Sequence, residues 1–216
     1  DPWERGLTPY RAAAGSIALP KEASPQARVL DFVRTWLFWR MSLTFGLWWF
    51  AGAIIYVQIA PFLLEKGFDS TVTAKFVAIF GASNCLGRVG FGWLSDRIGS
   101  VRTYQLALVY CAVASTGFGA AETFYLVAII VVLLGFGVGG VSAQLTSVSI
   151  DLFGTRAAGA LMGTVLALMG ILGAGGPLLS GAIYDAVQSY APAFYGGAAV
   201  FVLALIVSFG LRNGRG

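Results

Sequence analysis

Six stretches of the chain are apolar and free, or nearly free, of charge: Met41 to Leu64, Phe76 to Ser95, Thr103 to Ala121, Thr123 to Ile150, Ala157 to Tyr184 and Ala186 to Leu211. Short polar or charged segments separate them, and only the second stretch is interrupted, by Arg88. Each supplies the ~20 residues that cross a hydrocarbon core at 1.5 Å per residue. The runs are continuous rather than alternating, and a spanning segment must satisfy its backbone hydrogen bonds internally, so helices are predicted and not strands. The expected fold is all-α: a polytopic membrane protein with six transmembrane helices at about 38–64, 73–94, 103–121, 124–147, 157–183 and 192–211. The bundle fills 36–212, after a cytoplasmic linker and amphipathic lead-in at 1–35.

Within that lead-in, Ser24-Pro25 reads as an N-cap and first helical residue. Val29, Val33, Trp36 and Leu37 then fall on one face, with Arg28, Asp31 and Arg34 on the other. This pattern suits a helix lying on the membrane interface. Residues 1–23 show no periodicity and read as linker; Trp36 and Trp39 fit an interfacial belt, whereas Trp48 and Trp49 should lie deeper. The polar residues 1–35 hold no positively flanked apolar run with a small-residue cleavage site, so no signal peptide is expected in them. Without an initiator Met, the chain is expected to begin inside a longer protein.

The composition agrees with the hydrophobic pattern. The chain is 57% hydrophobic and 11% charged, against roughly 45–50% and about 25% in a soluble domain. Its 29 glycines would weaken soluble helices but let membrane helices approach closely. On the fifth span, Gly159, Gly163, Ala167, Gly170 and Ala174 form one narrow face, and Pro177 should bend or loosen the helix near its outer end. Packing and helix movement both account for that pattern. Cys85 and Cys111 lie in apolar stretches and are expected to be small buried hydrophobes. With no His in the chain, neither a zinc site nor a Cys/His nucleophile is expected.

A net charge of +4 and a pI near 9.3 would suit nucleic acid only if the cations clustered on one soluble face. They are sorted by loop instead. Alternating spans put Arg5, Arg11, Lys21, Arg28, Arg34, Arg40, Arg97, Arg102, Arg156, Arg212 and Arg215 on one side, and Lys66 and Lys75 on the other. The positive-inside rule then makes both termini cytoplasmic, in a plasma (inner) membrane, and no nucleic-acid partner is expected.

Gly135, Gly137 and Gly140 match the spacing of a dinucleotide fingerprint. They sit in a long apolar run rather than at a strand-to-helix turn, so no dinucleotide is expected there. The informative segment runs from Asn84 to Arg102. Its second half, Gly92-Trp93-Leu94-Ser95-Asp96-Arg97-Ile98-Gly99, resembles the cytoplasmic loop motif G-x-L-x-D-R-x-G of the major facilitator superfamily. Gly92 and Gly99 would permit close packing and a tight turn, and Asp96 would accept N–H groups at a helix N-terminus. Ser100 and Val101 stand where the family usually has basic residues, and Arg102 is the candidate to compensate. In this superfamily the motif lies between the second and third spans of each half, its position here. The resemblance, with the linker-like lead-in, implies the C-terminal six-helix half of a transporter. Asn84-x-x-x-Arg88-x-x-x-Gly92, Asp151-Leu-Phe-Gly154 and Ala191-Pro-Ala-Phe-Tyr195 are similar to the monocarboxylate transporter and oxalate:formate antiporter groups.

An intramembrane Arg is costly unless it faces a polar cavity or reaches an interface. Arg88 therefore has two readings. The resemblance implies that it engages a substrate carboxylate, for which a guanidinium's bidentate geometry is suited; alternatively its head snorkels to the cytoplasmic interface. Asn84, one turn deeper, would bind the same ligand or hold the guanidinium. All ten acidic residues lie in termini, loops or span ends, so any coupling proton would be carried by the other half. The antiporter group's fifth-span Lys is replaced here by Leu168, Met169 and Gly170, which favours a monocarboxylate. The expected function is the C-terminal half of a secondary active transporter moving a small organic anion by alternating access. Its partners would be the N-terminal half, the lipid bilayer, the anionic substrate and a coupling proton. No cofactor and no enzymatic reaction are expected. The alternative is a non-transporting membrane receptor or assembly scaffold that retains the fold.

Overall fold

A computed structural model describes residues 32–211, apart from the side chains of 155–158 and 160. The linker and the lead-in from Ser24 to Asp31 lie outside the described residues, as do Arg212 to Gly216. Helices α1 (Trp36–Glu65), α2 (Ser70–Ile98) and α3 (Ser100–Gly119) are followed by one helical run, Phe124–Val187. Helical dihedrals break inside that run at Gly154, giving two arms, α4 (Phe124–Gly154) and α5 (Leu161–Val187). Helix α6 (Ala191–Ser208) completes the bundle.

By length and composition, α1, α4, α5 and α6 are each apolar enough to cross a membrane. Helices α2 and α3 are long enough but more polar: α2 carries Ser83, Asn84 and Arg88 along its length, and α3 carries Arg102, Thr103 and Gln105 in its first turns.

The helix ends follow from local chemistry. Asp69 caps α2, its Oδ1 accepting from the backbone N–H of Thr71 (2.8 Å) and Val72 (2.9 Å). A carboxylate there also complements the positive end of the helix dipole. Between α2 and α3 the chain turns on one residue, Gly99, at φ 89° and ψ 152°; between α4 and α5 it turns on Gly154, at φ 79° and ψ 162°. Both lie in a region essentially reserved for glycine.

Two helix pairs form by close backbone approach. Helix α2 lies on α4: a Cβ on Gly87 would sit 2.7 Å from the Phe136 carbonyl carbon, and one on Gly135 would run into the Phe80 carbonyl oxygen. Helix α5 lies on α1, with Gly173 under the Trp49 ring and Gly176 against the Phe50 backbone. Helices α3 and α6 close the far side of the bundle. Phe62, Phe118 and Phe194 pack there at tilted and edge-on angles with ring centroids 4.9 Å apart, and Ser115 Oγ donates to the Phe194 carbonyl at 2.9 Å.

The sequence expectation differs from the structure at several positions. Cys111 is buried but Cys85 is exposed, because an apolar neighbourhood in sequence fixes the helix and not which way a side chain points around it. A Cβ on Gly159, Gly163 or Gly170 would meet nothing within 4 Å, so none of the three packs a helix among the described residues. The packing glycines of α5 are Gly173 and Gly176 instead. Pro177 lies inside α5, and the interruption in helical dihedrals falls at Gly154. Gly135, Gly137 and Gly140 are packing residues, meeting Phe80, then Tyr110 and Cys111, then Phe91.

Candidate functional site

Arg88 and Asn84 sit one turn apart on α2 but in different surroundings. Asn84 is 6% exposed because α4 presses on it: a Cβ on Gly139 would lie 2.7 Å from the Asn84 carbonyl carbon. Arg88 is exposed, on a face that the described helices leave uncovered. It stands ten residues before Ile98, about 15 Å of helix rise. If the 29-residue helix is centred on a core of ~30 Å, the Cα of Arg88 lies roughly 9 Å inside the nearer edge.

The third member of the group is Tyr56 on α1. Asn84 Nδ2 donates to its hydroxyl at 2.9 Å, and Arg88 stands one turn beyond Asn84 on α2. The Tyr56 ring is fixed by the Trp49 ring at 5.8 Å and by the edge of Phe80 at 5.4 Å. Sequence reasoning passed over Tyr56, since an aromatic within an apolar run gives no sign that its hydroxyl meets a residue 28 positions later. Among the described residues the group thus holds a cation, a phenol and a buried amide, drawn from two helices, a set whose chemistry can receive an anion.

The loop-motif residues are in part where the pattern leads one to expect. Gly99 makes the tight turn, and Arg97 stacks over the Trp93 ring, 4.0 Å from its centroid. Asp96 and Arg102 are exposed. A Cβ on Gly92 would meet nothing within 4 Å, so its close packing is not made among the described residues. The carboxylate that engages the start of α3 is Asp151, at the end of α4, which accepts from Ser100 Oγ at 2.6 Å. Among the described residues, no three His, Cys, Asp or Glu side chains group to hold a metal.

At the other end of the bundle Glu65 joins α1 to the connection between α5 and α6. Its Oε1 accepts from Ser189 Oγ at 2.7 Å and its Oε2 from the Tyr190 N–H at 2.9 Å.

A helical bundle with four apolar helices of spanning length has the architecture of an integral membrane protein. The sequence profile of the Major Facilitator Superfamily matches residues 5–175 and 91–215, and the chain belongs to that family, one of transporters rather than enzymes. It is 26% identical over 145 residues to mouse (Mus musculus) monocarboxylate transporter 12 and 29% identical over 143 residues to rat (Rattus norvegicus) monocarboxylate transporter 13. These alignments cover 65% of this chain but 30% and 33% of the relatives, so the chain spans about a third of their length. Its fold matches the Escherichia coli fucose:proton symporter with a TM-score of 0.76 at 14% identity, covering 89% of this chain and 47% of that one.

Proposed function

We propose that the chain is the C-terminal half of a secondary active transporter that moves a small organic anion of the monocarboxylate type. In this reading all six helices span the plasma (inner) membrane and both termini are cytoplasmic. The N-terminal six-helix half completes the site, and the two halves rock about it in alternating access. The lower hydropathy of α2 is consistent with a helix that lines a polar cavity, and the sorting of Lys and Arg supports the orientation. A coupling proton would be carried on the other half. The named relatives favour a transporter over a receptor or scaffold.

The observation that carries the proposal is Arg88: an exposed guanidinium at membrane depth, beside the Tyr56–Asn84 hydrogen bond, on a face that the described helices leave open. Its head reaches water only by full extension or through a cavity, and a cavity shared with a second half would give it an anion to bind. The test is substrate binding and uptake by the reconstituted full-length protein carrying Arg88→Gln or Arg88→Lys. Losing a charge-assisted contact should lower carboxylate affinity by roughly one to two decades. Lys keeps the charge without the planar fork and should not restore it. A well-inserted Arg88→Gln protein with unchanged affinity would show that Arg88 only snorkels.

A further inference from the structure

Asn84 and Arg88 are adjacent on α2, yet only one of them is open to a ligand. The Asn84 amide is buried, and one of its two Nδ2 protons is donated to the Tyr56 hydroxyl. A phenol has one proton to donate and lone pairs to accept with. Since Asn84 fills an acceptor position of Tyr56, the proton of that hydroxyl is left for another partner. Tyr56 is 39% exposed, and the Asn84 hydrogen bond ties its hydroxyl to α2 one turn from Arg88. The ring cannot readily turn away, being held between Trp49 and the edge of Phe80.

We infer that Tyr56 donates its hydroxyl proton to the carboxylate that Arg88 binds, and that Asn84 is a positioning residue which orients this hydroxyl and does not itself touch the substrate. The inference rests on the reading of Arg88 as an anion site. A carboxylate offers about four lone-pair positions on two oxygens, room for the guanidinium and the phenol together. The two donors come from different helices, α2 and α1, so the carboxylate is read by direction as well as by charge. A neutral amide or ester of the same acid would keep an acceptor for Tyr56 but lose the charge that Arg88 selects.

The experiment uses the full-length protein in liposomes, with a panel of monocarboxylates from acetate to benzoate. Binding is measured for wild type, Tyr56→Phe, Asn84→Ala, the Tyr56→Phe/Asn84→Ala double variant and Arg88→Gln, with insertion checked by thermal unfolding. Tyr56→Phe keeps the ring and should weaken carboxylate binding about 10- to 100-fold, the range for a hydrogen bond to a charged group. Asn84→Ala should weaken it less. In the Tyr56→Phe background, Asn84→Ala should change nothing further, because its amide acts only through the hydroxyl. A purely structural Asn84 would go on lowering affinity in that background, which would overturn the positioning role. Unchanged affinity in Tyr56→Phe alongside a loss in Arg88→Gln would overturn this inference and leave the anion site standing. Unchanged affinity in Arg88→Gln, or a wild type that binds no member of the panel, would remove the site and the inference together.

Discussion

Gly139 of α4 touches the backbone of Asn84 on α2, so closely that a Cβ on the glycine would stand 2.9 Å from the Asn84 Cα and nearer still to its carbonyl. No side chain lies between them. The height and rotation of Asn84 are therefore set by α4, and through the Asn84–Tyr56 hydrogen bond the same contact reaches α1.

Gly139→Ala should accordingly lower stability by ~1–3 kcal/mol, the usual cost of overpacking where backbone cannot move aside. It should also weaken substrate binding in the full-length protein. Gly196→Ala on α6, where a Cβ would meet nothing within 4 Å, serves as the control and should stay within about 0.5 kcal/mol. Thermal unfolding in detergent reads the first effect and substrate titration the second. Equal melting temperatures for the two variants would mean that the α2–α4 contact is looser than described.

Gly99→Ala and Gly154→Ala each force a Cβ into a backbone conformation that costs ~1–3 kcal/mol for other residues. Neither glycine has a neighbour within 4 Å of its would-be Cβ, so the loss would be torsional and not steric. Replacement by Asn should not rescue either position, since ψ near 150–160° lies outside the left-handed region that Asn tolerates. Unfolding midpoints for the Ala and Asn variants decide the point.

Sequence legibility followed the period of the pattern. The helical class, the positions of the hydrophobic runs and the tight turn at Gly99 were readable, because membrane length and Gly-only torsions leave few alternatives. Azimuth was less so. Gly159, Gly163 and Gly170 share a face in sequence as well as any packing stripe does, but only the neighbouring helix decides which glycine face is covered, and here Gly173 and Gly176 are the covered pair. Cys85 failed to be buried for the same reason. Of the candidate site, Arg88 announced itself as a charge in an apolar run, whereas Tyr56 had no local signal, its role arising from a contact between two helices.

Glu65→Ala should free the connection between α5 and α6. The carboxylate accepts from Ser189 and Tyr190 in an exposed setting, so the expected loss is small, about 1 kcal/mol. Faster amide exchange at Tyr190 is the specific sign, with unchanged exchange in the core of α3. Glu65→Gln retains one acceptor and should be intermediate.

Orientation is tested with single cysteines in a background lacking Cys85 and Cys111. Replacing exposed Ser70 should give a thiol that an impermeant reagent labels in intact cells, and replacing exposed Arg102 should give one labelled only after permeabilisation. Ser100 would be a poor reporter, being 3% exposed and bonded to Asp151. The reverse labelling would invert the topology.

The passage from α4 to α5 through Gly154 has no slack. A loop absorbs displacement, whereas a single residue transmits it. Helix α4 is fastened to α2 and α5 to α1, and Ser149 just before the turn ties α4 to Met41 of α1 as well, so Gly154 joins two stiff helix pairs at their root, much as a rivet joins a pair of tongs. Midway along those pairs, Tyr56 of α1 is bonded to Asn84 of α2. A change of torsion at the rivet would bear on that bond.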